Sequence, residues 1–119
     1  MKTINLDDKL SLFTDHWKPH ILAEFNGQHL KVAKVQGKII WHEHENEDEL
    51  FLVVHGEVEI LLEDRIVRLR EGEIFIVPKG VRHAVRADKE AQIVLVEPAS
   101  TRHTGKEESA QTVNDQPWI

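Results

Sequence analysis

The sequence predicts an antiparallel all-β domain, a sandwich or barrel, preceded by one short helix. Three observations carry this. After Pro19 the apolar residues recur with a period of two, the alternation of a half-buried strand. The alternating runs are short and rich in Val, Ile, Leu and Phe, residues that suit a pleated surface. Turn-forming residues punctuate them at regular spacing: Gly37, Gly56, Asp64, Gly72, Pro78 with Gly80, and Asp88. Many short strands with regular turns read as a sandwich or barrel.

The elements follow in order. Residues 5–13 are expected to form the helix, with Asn5 as cap and Asp7 and Asp8 in the first turn. Leu6, Leu10 and Phe13 would then share one face. Residues 20–25 and 28–35 flank Asn26-Gly27, the strongest short hairpin signal. Further strands are expected at 38–44, 50–54, 57–62, 66–70, 74–77, 82–87 and 92–96. From Ala99 to Ile119 the composition turns polar, and Trp118-Ile119 is the only large apolar cluster there. The expected organisation is one domain over 1–119, with a core at about 28–98 and a C-terminal tail at 99–119.

Composition excludes several classes of function. Lys plus Arg number 15 against 21 Asp plus Glu, a net charge of −6. A nucleic-acid partner needs clustered positive charge, and so does an anionic membrane surface; neither is expected. With no Cys, thiolate metal sites and cysteine nucleophiles are out. No apolar run is long enough to span a bilayer, and the first residues lack the apolar stretch of a secretory signal. The expected location is the cytoplasm. No G-x-S-x-G elbow or phosphate-binding loop occurs. Eight His in 119 residues are the main hint of chemistry.

The hint sharpens at His42-Glu43-His44. Alternate residues of a strand share a face, so two imidazoles roughly 6.6–7 Å apart at Cα can chelate one ion. On this pair alone, two surface histidines are the plainer reading. The wider pattern is more specific. Gly37, His42, His44, Glu49 and Gly56 form G-x4-HxH-x4-E-x6-G, and Gly72, Pro78, Gly80 and His83 form G-x5-PxG-x2-H. Fifteen residues separate the blocks.

These two blocks resemble the paired motifs of the cupin superfamily, from Lys31 to about Pro98. Residues 48–52 and 72–80 look more narrowly like small single-domain cupins named for similarity to mannose-6-phosphate isomerase. The resemblance implies a conical barrel of two antiparallel sheets, a small jelly roll. It also implies one divalent transition metal held by His42, His44, Glu49 and His83. Three neutral imidazoles and one carboxylate suit Mn, Fe, Ni, Co, Cu or Zn rather than Ca or Mg. The family's closing Asn falls on Ala87, so its amide is missing here. Glu45, Glu47 and Asp48 read as a solvated acidic turn.

Parity extends the site. If His42 and His44 point inward on an unbroken strand, then Ile40, Gln36, Lys34, Val32 and Leu30 do too. Glu49 carries Phe51 and Val53 inward, and His83 carries Val81 and Val85. Lys34, Phe51, Val53 and Val85 are therefore the expected substrate-binding residues. A lysine inside an apolar barrel must pair or snorkel; Lys34 either binds an anionic ligand group or reaches out at an open end. His16, His20, His29 and His103 lack partners at ligand spacing and read as surface, and His55 as a turn residue. Trp41 is expected to face outward.

The expected function is metal-dependent: an oxygenase, isomerase or lyase acting on a small oxygenated or anionic molecule. The alternative is a non-catalytic module that binds a metal or small ligand. No catalytic residue can be named from the sequence. A homodimer is expected, because open sheet edges are usually covered. Its expected contacts are the N-terminal hairpin or Trp41, and the tail ending in Trp118-Ile119 has no evident partner within one chain.

Overall fold

The computed structural model describes residues 2–100 and 115–119. Helix α1 is Leu6–Leu10, capped by the Asn5 side chain, which accepts from the Asp8 N–H at 2.9 Å. Seven strands follow: β1 His20–Phe25, β2 Gln28–Lys38, β3 Glu49–His55, β4 Val58–Leu62, β5 Ile66–Leu69, β6 Ile74–Val77 and β7 His83–Pro98. All strand pairs are antiparallel, in the order β1-β2-β7-β3-β6, with β4 joining β7 to β5. Asn26 and Gly27 both adopt positive φ, 50° and 75°, as a tight hairpin turn of matched twist requires.

Two expected strands, 82–87 and 92–96, are one. Asp88 does not end the chain direction; it starts a bulge. Val35 pairs with Ala91 and Gly37 with Ala87, so residues 88–90 stand opposite Gln36 alone. Such an insertion bends a strand and sharpens its twist. The bend lets β7 pair with β4 through residues 83–86 and with β3 through residues 92–96. One strand thus belongs to both walls of the barrel. Gly56, at φ +85°, ends β3 against this bend, where a Cβ would lie 3.1 Å from the Ala91 Cα. Only glycine fits both constraints.

The core has two parts. Inside the barrel, Ala33, Val35, Ile39, Phe51, Val53 and Ile60 pack with Val85, Ile93 and Leu95. Outside it, Leu10 and Phe13 cover Leu22, Val32 and Val94, with Ile119 packed alongside. The last residues, Pro117 to Ile119, therefore have a partner in their own chain, contrary to the expectation. The Ile21 N–H donates to the Pro117 carbonyl at 2.7 Å, and the Ile119 N–H to the Ile21 carbonyl at 3.0 Å. Unpaired groups on the β1 edge take up these bonds, as exposed edges do. The Trp118 ring meets His29 edge-on. His103 lies outside the described residues. Among the described residues, no helix is long and apolar enough to cross a membrane.

Candidate metal centre

The expected strand at 38–44 shrinks to one bridge, and that bridge builds the site. β2 ends at Lys38. His42 then pairs with His83: each main-chain N–H donates to the other's carbonyl, at 2.8 and 2.9 Å. The Gly80 N–H donates to the His44 carbonyl at 2.8 Å, and the Lys79 N–H to the Asp48 carboxylate at 2.9 Å. The Pro-x-Gly turn of the second block thus clamps the backbone of the first. Glu49 opens β3 beside Val77. Two sequence blocks 15 residues apart meet because backbone bonds hold them together.

His42, His44, Glu49 and His83 are all buried, and one ligand atom from each lies within 4.8 Å of all the others. Glu49 Oε1 is 3.6 Å from His44 Nε2 and 3.5 Å from His83 Nε2. His42 Nδ1–H donates to the Ile40 carbonyl at 2.7 Å, and His83 Nδ1–H to the Val81 carbonyl at 2.9 Å. A carbonyl only accepts, so each Nδ1 carries the proton and each Nε2 is left with its lone pair free. The Nε2 atoms of His44 and His83 are buried with no hydrogen-bond partner.

The electrostatics fit the same picture. Burial, then the neighbouring His83, hold the His42 imidazole down at about 4. Burial works against the Glu49 charge, but the facing His44 and His83 imidazoles outweigh it and hold its carboxyl well below the usual range. A divalent ion with bonds of about 2.0–2.2 Å needs neutral imidazole nitrogens and an ionised carboxylate. The residues present fit such an ion: four convergent donors, two of them otherwise unpartnered.

A narrow cleft opens beside the cluster, with about 40 Å³ of water-accessible volume. Of the four expected substrate residues, Phe51 and Val85 line it, while Val53 packs in the barrel core. Lys34, expected to point into the barrel, does not enter it. Its ammonium leaves the outer face of β2, donates to the Phe13 carbonyl at 2.7 Å, and lies 5.2 Å from the Phe13 ring centre. Ala33, Val35 and Ile39 face inward instead, whereas Val32 and Leu30 pack in the outer cluster. The reason is that alternation holds only along continuous strand. Between Ile39 and His42 the chain is not strand, and the inward parity changes from odd to even there.

The lysine inside the barrel is Lys31. Its ammonium meets the Glu97 carboxylate at 2.7 Å, with both side chains almost wholly buried. Burial, and then the Glu49 charge, push the Glu97 carboxyl well above the usual range. The shared odd parity of Lys31, Ala33 and Val35, with Glu97 closing the Ile93-Leu95 series, is the sequence signal that marks this pair. Trp17 and Pro19 also line the cleft; they lie in a loop, where no periodicity could announce them. His20 is buried rather than on the surface, stacked on Phe13 with centroids 3.7 Å apart. His55 and His16 pair with Asp7 and Glu90. Ala87 packs in the inner core, so no amide stands at that position.

The molecule is a small antiparallel barrel that gathers three imidazoles and a carboxylate at one buried point. The Cupin domain family matches residues 29–97, and the chain belongs to that family. Uncharacterized protein YdbB of Bacillus subtilis (strain 168) is 30% identical over 87 residues, 64% of this chain and 77% of its own. A cupin-2 domain containing protein from Shewanella frigidimarina is 43% identical, with a TM-score of 0.79, over 80% of this chain and 93% of its own. Protein NMB1881 from Neisseria meningitidis is 31% identical, with a TM-score of 0.76, over 82% of this chain and 100% of its own.

Proposed function

We propose that this cupin is a metal-dependent enzyme acting on a small oxygenated or anionic molecule, with one Mn, Fe, Ni, Co, Cu or Zn ion held by His42, His44, Glu49 and His83. The observation that carries this is the pair of buried, unpartnered Nε2 atoms on His44 and His83, facing Glu49. Buried polar atoms without partners are costly and rare, and a cation is the one partner that serves all four donors. Such an ion supplies Lewis acidity and open positions for an oxygen-bearing ligand. The chain supplies the rest. The Ile40 and Val81 carbonyls fix two ring tautomers, and the apolar cleft wall keeps water scarce.

Among the described residues, the cleft lining holds no acidic or basic side chain beyond His42 and Glu49. A proton-transfer enzyme needs a second titratable group near its substrate. That favours an oxygenase over an isomerase or lyase, and the finer likeness to cupins named for mannose-6-phosphate isomerase is carried by three stretches of sequence, residues 48–52, 72–80 and 97–105. The same lining also favours the second reading, a non-catalytic module that binds a small ligand. Elemental analysis of protein purified without added metal, paired with oxygen uptake across a panel of small acids, tests both. One equivalent of metal with uptake supports the oxygenase; metal without turnover supports the module. Protein that takes up none of the six metals on titration refutes the enzyme and leaves only a module that binds a small ligand without metal. Changing His44→Ala should abolish metal binding.

A cytoplasmic homodimer is part of this proposal. Phe25 and Trp118, both more than half exposed along β1, support the N-terminal hairpin as its contact. A monomer by light scattering at micromolar concentration would rule the dimer out.

A further inference from the structure

The cleft beside the four-residue cluster has a chemistry of its own. Trp17, Pro19, Ile39, Phe51, Ile93 and Leu95 form much of its wall. Its polar lining consists of His42 and Glu49, both already committed to the metal. Among the described residues, no lysine or arginine lines it. The two buried lysines of β2 are engaged elsewhere, Lys31 by Glu97 and Lys34 by the Phe13 carbonyl. A charged group carried into this space would lose its water and find no counter-charge, which is costly. The space is also short. Its water-accessible volume of about 40 Å³ is room for roughly three waters.

With Pro19, Trp17 is the part of this wall that lies ahead of the barrel strands in the chain. It comes from the segment between α1 and β1 and is pinned across the end of the barrel by two bonds. Its main-chain N–H donates to the Lys34 carbonyl at 2.9 Å, and its indole Nε1–H to the Gln36 carbonyl at 2.8 Å. Its φ is 60°, a left-handed conformation that a bulky side chain rarely adopts. Such conformations persist where the surroundings over-determine them, and they gather at ligand sites.

Resting on the metal reading above, we propose that the cleft selects ligands with a metal-chelating oxygen head and a short, uncharged apolar body, and that Trp17 sets this selectivity. The head meets the ion, and the body lies along the indole and Phe51. A ligand with the same head but a charged far end is rejected, because the wall offers that end neither water nor a cation. This inverts the role expected for Lys34 as an anchor for an anionic group.

The test uses the full chain loaded with Ni(II) and two probes with identical heads. In 2-oxopentanoate the far end is a methyl group; in 2-oxoglutarate it is a carboxylate. Metal affinity is titrated first, so failure of the metal reading shows as absent loading and overturns both. Calorimetry on loaded protein should then find 2-oxopentanoate tighter by roughly tenfold or more, the discrimination expected of a pocket lacking a partner for a polar group. Trp17→Ala should reduce the preference to about threefold or less at unchanged metal stoichiometry, as water enters through the missing wall. Trp17→Phe should keep most of the preference and guards against a folding defect in the alanine variant. Equal affinities, tighter 2-oxoglutarate, or no binding of either probe at millimolar concentration would overturn the inference while the metal site stands. A full preference retained in Trp17→Ala would overturn the role of Trp17.

Discussion

Lys31 and Lys34 lie three residues apart on β2, leave it on opposite faces, and are both buried. Inside the barrel, Lys31 meets the carboxyl of Glu97 at 2.7 Å. Under the N-terminal segment, Lys34 has a carbonyl and the face of Phe13. The difference follows from what each face touches. The inner face sits behind the cluster of His42, His44, Glu49 and His83, where no water reaches and an ammonium must be neutralised. The outer face meets a chain segment whose carbonyls are free to accept, and the lysine is still 9% exposed. The inner arrangement keeps the Lys31 ammonium on Glu97 and out of the cleft next to the cluster. The outer one ties the segment carrying Trp17 to the barrel.

Removing one partner of the inner pair should break the molecule most. Glu97→Ala leaves the Lys31 ammonium buried and alone, and should cost about 3–5 kcal/mol, read as a melting temperature lower by roughly 10 °C or more. The double change Lys31→Met with Glu97→Met should recover most of that loss, since apolar replacements of buried ion pairs are often neutral. A double variant as unstable as Glu97→Ala would mean that the pair does more than neutralise itself.

Acid should act on the inner region next. His42 is held at about 4 against an ordinary 6.5. Above about pH 6.5 it is neutral both folded and unfolded. Between about 6.5 and about 4 only the unfolded chain takes the proton, so stability falls as the pH drops through that window. The loss is on the order of 3 kcal/mol. Denaturant melts of metal-free protein across this range should show it, and His42→Gln should flatten that part of the slope.

The outer region should respond more gently. Lys34→Met removes one charge-assisted hydrogen bond and should cost about 1.5–3 kcal/mol, with faster hydrogen exchange at the Trp17 amide. Asn5→Ala removes the cap of α1, and should cost about 1 kcal/mol or less of global stability in so short a helix. If Lys34→Met proved as damaging as Glu97→Ala, the two faces would not differ as argued.

The residues of the cluster are legible in the sequence through the resemblance of its two blocks to the cupin motifs. His42-x-His44, Glu49 and His83 sit at intervals set by turns whose residues, Gly37, Pro78 and Gly80, also show in the sequence. Phe51 and Val85 are legible for a related reason: each lies on the same unbroken strand as a cluster residue, so counting by twos holds. The lining from β2 is not, because counting by twos from His42 must cross residues 39–41, which are not strand. Periodicity is a property of a continuous backbone pairing, and one irregular step inverts every assignment beyond it.

Taken alone, the chain determined the things that depend on near neighbours: the antiparallel strands, the Asn26-Gly27 turn and the Asn5 cap, while the four candidate ligands came from the resemblance of its two motif blocks to cupins. Only the tertiary structure decided which lysine enters the barrel, that β7 runs unbroken through a bulge at residues 88–90, that the last residues pair with β1, and that Trp17 walls the cleft. Each of these rests on contacts between segments distant in sequence. Local propensity and periodicity carry no information about which distant surface a residue will meet, because that is settled only when the whole core packs.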